Sequence, residues 1–158
     1  MKNRIFIGEF IGSAFLVMII VGSGIMAQNL TRDFAVMLLA NTIATGAGLF
    51  VLINSIANIS GAHFNPVVTM AMYFTKKIKK DLIFTYLSAQ ILGCLLGVML
   101  ANFMFDLPLI ELSSKARSGF NIFIAEVIAT FGLIFIIFGS LKNGTVAVAA
   151  SVATCLLY

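Results

Sequence analysis

Long apolar runs separated by short polar interruptions dominate the chain. Four of them, Ile5–Ala27, Ala35–Ala57, Leu82–Phe105 and Phe120–Leu141, are each long enough to cross a bilayer as helix. About 20 apolar residues suffice to cross roughly 30 Å of hydrocarbon. A fifth run, Thr145–Tyr158, is apolar throughout but would rise only about 21 Å as helix. The connections, residues 28–34, 106–119 and 142–144, are short, and there are no linkers or low-complexity tracts. The pattern predicts an all-α membrane protein forming one domain over residues 1–158.

One interruption does not fit a simple series of crossings. Ser60-Gly61-Ala62-His63-Phe64-Asn65-Pro66 breaks the apolar pattern, and the run that follows, Val67–Thr75, is too short to span before Lys76-Lys77-Ile78-Lys79-Lys80 ends it. That is the outline of a loop that dips into the membrane and starts a half-helix over residues 66–76. Asn65 suits the N-cap and Pro66 the first helical turn. Non-helical backbone at membrane depth is tolerated only where protein buries it or where it lines a wet cavity. With its oxygen used in capping, Asn65 would keep an amide N–H free to donate into such a cavity. The half-helix would place partial positive charge there.

Composition removes other classes of function. The chain is 61% hydrophobic and 10% charged, with a mean hydropathy of +1.09. Soluble domains run near a quarter charged. A net charge of +4 would suggest nucleic acid in a soluble protein, but here the basic residues stand at the ends of apolar runs. With the N-terminus in the cytoplasm, that side receives Lys2, Arg4, Lys76, Lys77, Lys79, Lys80 and Lys142, and the other receives Arg32, Lys115 and Arg117. This follows the positive-inside tendency and fits an inner or plasma membrane. No cleavable signal peptide is expected. Cys94 and Cys155 lie in apolar runs and read as packing. No metal cluster, phosphate loop or nucleophile–base pair is present in the pattern, so neither a cofactor nor an enzyme is expected.

The first and fourth spans repeat one another. Gly8-Glu9 aligns with Ala125-Glu126, Gly12 with Ala129 and Gly22-Ser23 with Gly139-Ser140 at one constant spacing. An odd number of crossings separates the copies, so the second is inverted, which places a shared path at the interface between halves. The division falls as residues 1–117 for the first repeat and 118–158 for part of the second. The same spacing puts the counterpart of Asn65 beyond Tyr158. Glu9 and Glu126 are carboxylates inside apolar spans, which is costly and marks them as site candidates. Small residues recur every four positions at Ala89, Gly93, Gly97 and Ala101, and at Gly8 and Gly12, a spacing that lets membrane helices pack closely.

The run Ser60–Thr69, with Glu9 in the first span and Gln90 in the third, resembles the first half of an aquaporin, a member of the major intrinsic protein family. The resemblance covers the whole chain. It implies six spans and two half-helices around one pore per subunit, assembled as a tetramer. This chain matches spans one to four, the first half-helix and the start of span five, about two-thirds of such a channel, with Val67 where alanine is usual. By resemblance, Gly61, Ala62, His63, Asn65, Pro66 and Val67 face or orient the permeant. Glu9, Glu126 and Gln90 support the re-entrant loops. His63, the sole histidine, serves as a hydrogen-bonded loop residue, the alternative being a pH sensor.

Thr45 falls at the second-span filter position of the family, where water-selective members carry a large aromatic. With Gly46 and Gly48 beside it, a wider and more polar constriction is expected. That suits glycerol-like solutes or undissociated metalloid acids as well as water. The run Leu39–Gly46 resembles a bacterial branch linked to arsenic resistance; a small residue that merely lets helices approach is the alternative reading of Thr45. Three functions stay open at this point: a passive channel, a non-conducting subunit that associates with a full-length homologue, and a proton-coupled transporter using Glu9 and Glu126.

Overall fold

The computed structural model describes residues 1–110, 118–141, 146–148 and 150. It contains α1 (Lys2–Leu30), α2 (Phe34–Ser60), α3 (Pro66–Phe74), α4 (Lys80–Met104) and α5 (Phe120–Ser140). Four of these, all but α3, are long and apolar enough to cross a membrane. Each extends a few residues past the apolar run that announces it or ends within one of it, because helix continues into the polar flanks. Lys115, Arg117, Lys142, Cys155 and most of the expected Thr145–Tyr158 span lie outside the described residues.

Local chemistry sets the boundaries. Asp33 caps α2, its Oδ1 accepting from the N–H groups of Ala35 (2.8 Å) and Val36 (3.2 Å). Gly61 ends α2 in the left-handed region at φ +95°, where a glycine pays no Cβ penalty. α3 stops at Phe74, short of residue 76. Lys76 turns to φ +59°, and Met72 O accepts from both Lys77 N (2.8 Å) and Ile78 N (3.4 Å), so the chain wraps back over the last turn.

α1 is the central helix, packed on α4 along one face and on α2 along another. The α1–α4 seam is made of the small residues on α4. Ala89 and Ala101 are completely buried. A Cβ at Gly93 would stand 2.4 Å from Phe10 O, and one at Gly97 would stand 2.4 Å from Ala14 O. Between α1 and α2, Asn41 Nδ2 donates to Ile20 O (2.7 Å) and Ser23 Oγ (3.0 Å). α5 is largely exposed and meets the rest mainly at α3 and around Ile137. The outward faces carry Phe34, Phe84, Phe103, Phe131 and Phe135, side chains that suit a lipid environment.

Lys2 and Asp81, 3.8 Å apart, place the starts of α1 and α4 at one end of the bundle. Lys77 Nζ, 5.9 Å from the Phe138 ring centre, brings the end of α5 to the same end. Depth then follows from α1 used as a ruler. Ser60 packs at Gly8 and Phe64 at Gly12, about 9 Å and 15 Å along α1 from Lys2 at a rise of about 1.5 Å per residue. So α2 stops short of this end, the loop climbs back toward the midplane, and α3 descends about 13 Å to leave again. The segment re-enters the membrane.

This geometry corrects one reading of the small-residue stripes. Gly93 and Gly97 do admit a neighbouring helix. Gly8 admits the last turn of α2, where a Cβ would meet Ser60 Cβ at 2.9 Å and Ile59 Cγ2 at 3.2 Å, whereas Gly12 admits the loop, where a Cβ would stand 1.9 Å from the Phe64 ring.

Candidate functional site: a re-entrant loop around a buried carboxylate

Three residues of the loop region have left-handed backbone: Gly61 (φ +95°), Ala62 (φ +52°) and Phe64 (φ +48°). For the two non-glycine residues this costs about 1–2 kcal/mol each. The opposing term is Glu9, which is fully buried. Its Oε1 accepts from Ser60 Oγ (2.6 Å) and His63 N (3.0 Å), and its Oε2 from Phe64 N (2.8 Å) and Gln90 Nε2 (2.8 Å). Hydrogen bonds to a carboxylate contribute roughly 1.5–3 kcal/mol each, so the four together outweigh the strain they hold.

A second layer fixes the side chains. Thr69 Oγ1, on α3, lies 3.2 Å from Asn65 O, 3.1 Å from His63 Nδ1 and 3.1 Å from Gln90 Nε2. The His63 ring stacks on Tyr86, centroids 4.4 Å apart and planes within 14°. The Tyr86 hydroxyl donates to Ser60 O. Ser60 Oγ also accepts from Ala62 N (3.1 Å). Asn65 Oδ1 accepts from Val67 N (2.8 Å) and Val68 N (3.4 Å). That identifies the oxygen end of the carboxamide and leaves Nδ2 without a partner among the described residues.

The loop forms one wall of a cavity of about 350 Å³. Gly61, Ala62, His63 and Asn65 line one part of it and Thr45 another. Leu49, Ile53, Met72 and Ile137 are among its apolar lining. Thr45 is almost wholly buried, and its Oγ1 has no partner among the described residues. Its level is set by the contacts of Gly48 with Ile19 and of Asn41 with Gly24, about 13 Å further along α1 than Phe64. The cavity therefore reaches from the midplane toward the end of the bundle remote from the lysines.

Glu9, Gln90, His63, Asn65, Gly61 and Ala62 thus come together. Pro66 opens α3 and Val67 is half-exposed beside it; neither lines the cavity. Glu126 lies on an exposed face of α5 and joins none of the hydrogen bonds around Glu9, and the described residues include no second re-entrant turn for it to hold. Sequence reasoning missed Tyr86 and the supporting part played by Ser60 and Thr69. A tyrosine inside a span is a residue whose hydroxyl needs a partner, and that was the available signal for Tyr86.

A bundle of helices apolar enough to span, with one re-entrant half-helix buried against an internal carboxylate, defines an all-helical polytopic membrane protein. The profile of the major intrinsic protein family matches residues 1–157, and the chain belongs to that family. It is 42% identical over 136 residues to Aquaglyceroporin AqpS of Rhizobium meliloti (strain 1021), covering 86% of this chain and 58% of that protein. It is 31% identical over 156 residues to Aquaporin TIP1-1 of Arabidopsis thaliana, covering 93% of this chain and 62% of the relative. Among solved structures, the aquaglyceroporin from Plasmodium falciparum superposes with a TM-score of 0.79 at 23% identity, over 99% of this chain and 70% of the other. The chain thus spans about three-fifths of the length of these curated relatives.

Proposed function

We propose that this chain forms part of a passive, bidirectional channel for water and small neutral solutes, glycerol-like polyols and undissociated metalloid acids among them. The observation that carries the reading is a cavity lined by the capped Asn65 at one level and by Thr45 at another. Asn65 Nδ2 donates to a passing oxygen. The N-terminus of α3 gives the midplane a positive potential that disfavours cations. Thr45 sets the width at the far constriction, and the names of the aquaglyceroporin relatives favour polyols beside water.

Glu9 supports a passive mechanism over a proton-coupled one, since each of its oxygens already accepts two hydrogen bonds. The other assignments complete the proposal: a multi-pass protein of the cell membrane with its N-terminus in the cytoplasm, assembling as a tetramer. It is built as a first repeat over 1–117 and an inverted one from 118, with Glu126 holding the second loop.

Stopped-flow swelling of vesicles containing the protein tests this. Glycerol should enter down its gradient, with no accumulation when a proton gradient is imposed. Thr45→Phe should lower glycerol flux about tenfold while water flux falls less. An unchanged glycerol-to-water ratio removes Thr45 from the filter, and gradient-driven accumulation rejects a channel.

A further inference from the structure

We infer that the turn between α3 and α4 is a binding site for the head groups of anionic phospholipids in the adjacent leaflet. Of the ten Lys and Arg residues, four stand within five positions: Lys76, Lys77, Lys79 and Lys80. All four are exposed. The fold adds two more, because the Lys2–Asp81 contact brings the first turn of α1, with Lys2 and Arg4, against the start of α4. Asp81 is the one acid at this end among the described residues, and it is already engaged with Lys2. A general excess of positive charge on one side of a membrane protein does not require this density, and like charges held together repel.

The charges are held together by a fixed backbone. Lys76 N bonds to Tyr73 O (2.9 Å), Lys77 N to Met72 O (2.8 Å) and Leu82 N to Lys79 O (3.1 Å). Ile78, in the middle of the lysines, packs inward against Ile5, Leu82 and Tyr86 on one side and the core below the pore loop on the other. Lys77 reaches toward α5 and the Phe138 ring, which leaves Lys76, Lys79 and Lys80 outermost.

The surface next to these lysines selects a lipid over a water-borne anion. Phe84, 81% exposed, lies one helical turn deeper than Lys80 on the same face of α4. Phe74, 73% exposed, directly precedes the turn. A phospholipid satisfies both parts, with phosphate on the ammonium groups and acyl chain on the phenyl rings. A soluble anion covers only the first. The inference rests on the membrane reading alone and is independent of whether the protein conducts.

Native mass spectrometry of the detergent-solubilised protein titrated with phosphatidylglycerol and with phosphatidylcholine provides the test. Phosphatidylglycerol should be retained at least about tenfold more tightly, and each of Lys76→Gln, Lys79→Gln and Lys80→Gln should weaken it about fivefold at low salt. The variant carrying all four changes, Lys77→Gln included, should lose the preference while keeping its helical content. For the unmodified protein, raising NaCl from about 50 to about 500 mM should erase most of the preference, a check that holds even if the fourfold variant fails to fold. Equal retention of the two lipids overturns the proposal. So does displacement of phosphatidylglycerol by an equal concentration of inorganic phosphate, which would identify a site for free anions.

Discussion

Glu9→Ala is expected to lower the stability of the bundle by about 4 kcal/mol or more and to release the re-entrant loop. The substitution leaves Ser60 Oγ, His63 N, Phe64 N and Gln90 Nε2 without their acceptor inside a buried site. An unsatisfied buried donor costs about 1–3 kcal/mol, and no water can be assumed to reach all four. The left-handed backbone at Ala62 and Phe64 then loses what holds it. Glu9→Gln keeps one acceptor oxygen but turns an NH2 group toward two of the donors, so it should fall between the parent and the alanine variant. Thermal unfolding in detergent measures this, and a loss near 4 kcal/mol corresponds to a drop of about 10 °C in a chain of this size. If Glu9→Ala melts within about 1 °C of the parent, the carboxylate is not what holds the loop.

The second large effect belongs to the α1–α4 seam. Gly93→Ala combined with Gly97→Ala should cost about 4 kcal/mol, from overpacking of about 1–3 kcal/mol at each site. The obstacle at both positions is a backbone carbonyl 2.4 Å from the new Cβ. A helix backbone cannot rotate aside as a side chain does, so the two helices must separate by about 1 Å to restore ordinary contact. That separation reaches Gln90, one turn from Gly93, and stretches its 2.8 Å bond to Glu9. The matched control is Gly139→Ala on α5, where a Cβ meets nothing within 4 Å among the described residues and helix propensity favours alanine by about 1 kcal/mol. Comparable losses in folded yield from the seam and control variants would show that close approach of α1 and α4 is not required.

The two variants also mark how far the sequence could be read. The spanning helices were legible because twenty consecutive apolar residues have few alternatives. The Asn-Pro cap was legible because α3 is too short to be anything but a half-helix. Glu9 and Gln90 stood out as polar groups where polarity is costly, and their contact with the loop follows the family resemblance. Spacing states which residues share a face but not what lies opposite. Hence Gly12 read as part of a helix-packing stripe, although the Phe64 ring of the loop occupies its space. Tyr86 was passed over because its two partners, Ser60 O and the His63 ring, are distant in sequence. The early stop of α3 at Phe74 depends on Met72 O accepting two N–H groups from the turn, a backbone detail that composition does not encode.

The support around Glu9 also carries an order in time. The carboxylate belongs to α1, and the loop it grips follows α2. Two of the remaining fastenings, the amide of Gln90 and the hydroxyl of Tyr86, belong to α4. In a chain that enters the membrane from its N-terminus, residues 60–66 are therefore delivered before the helix that completes their enclosure. The enclosure of the strained turn is complete only when α4 is in place.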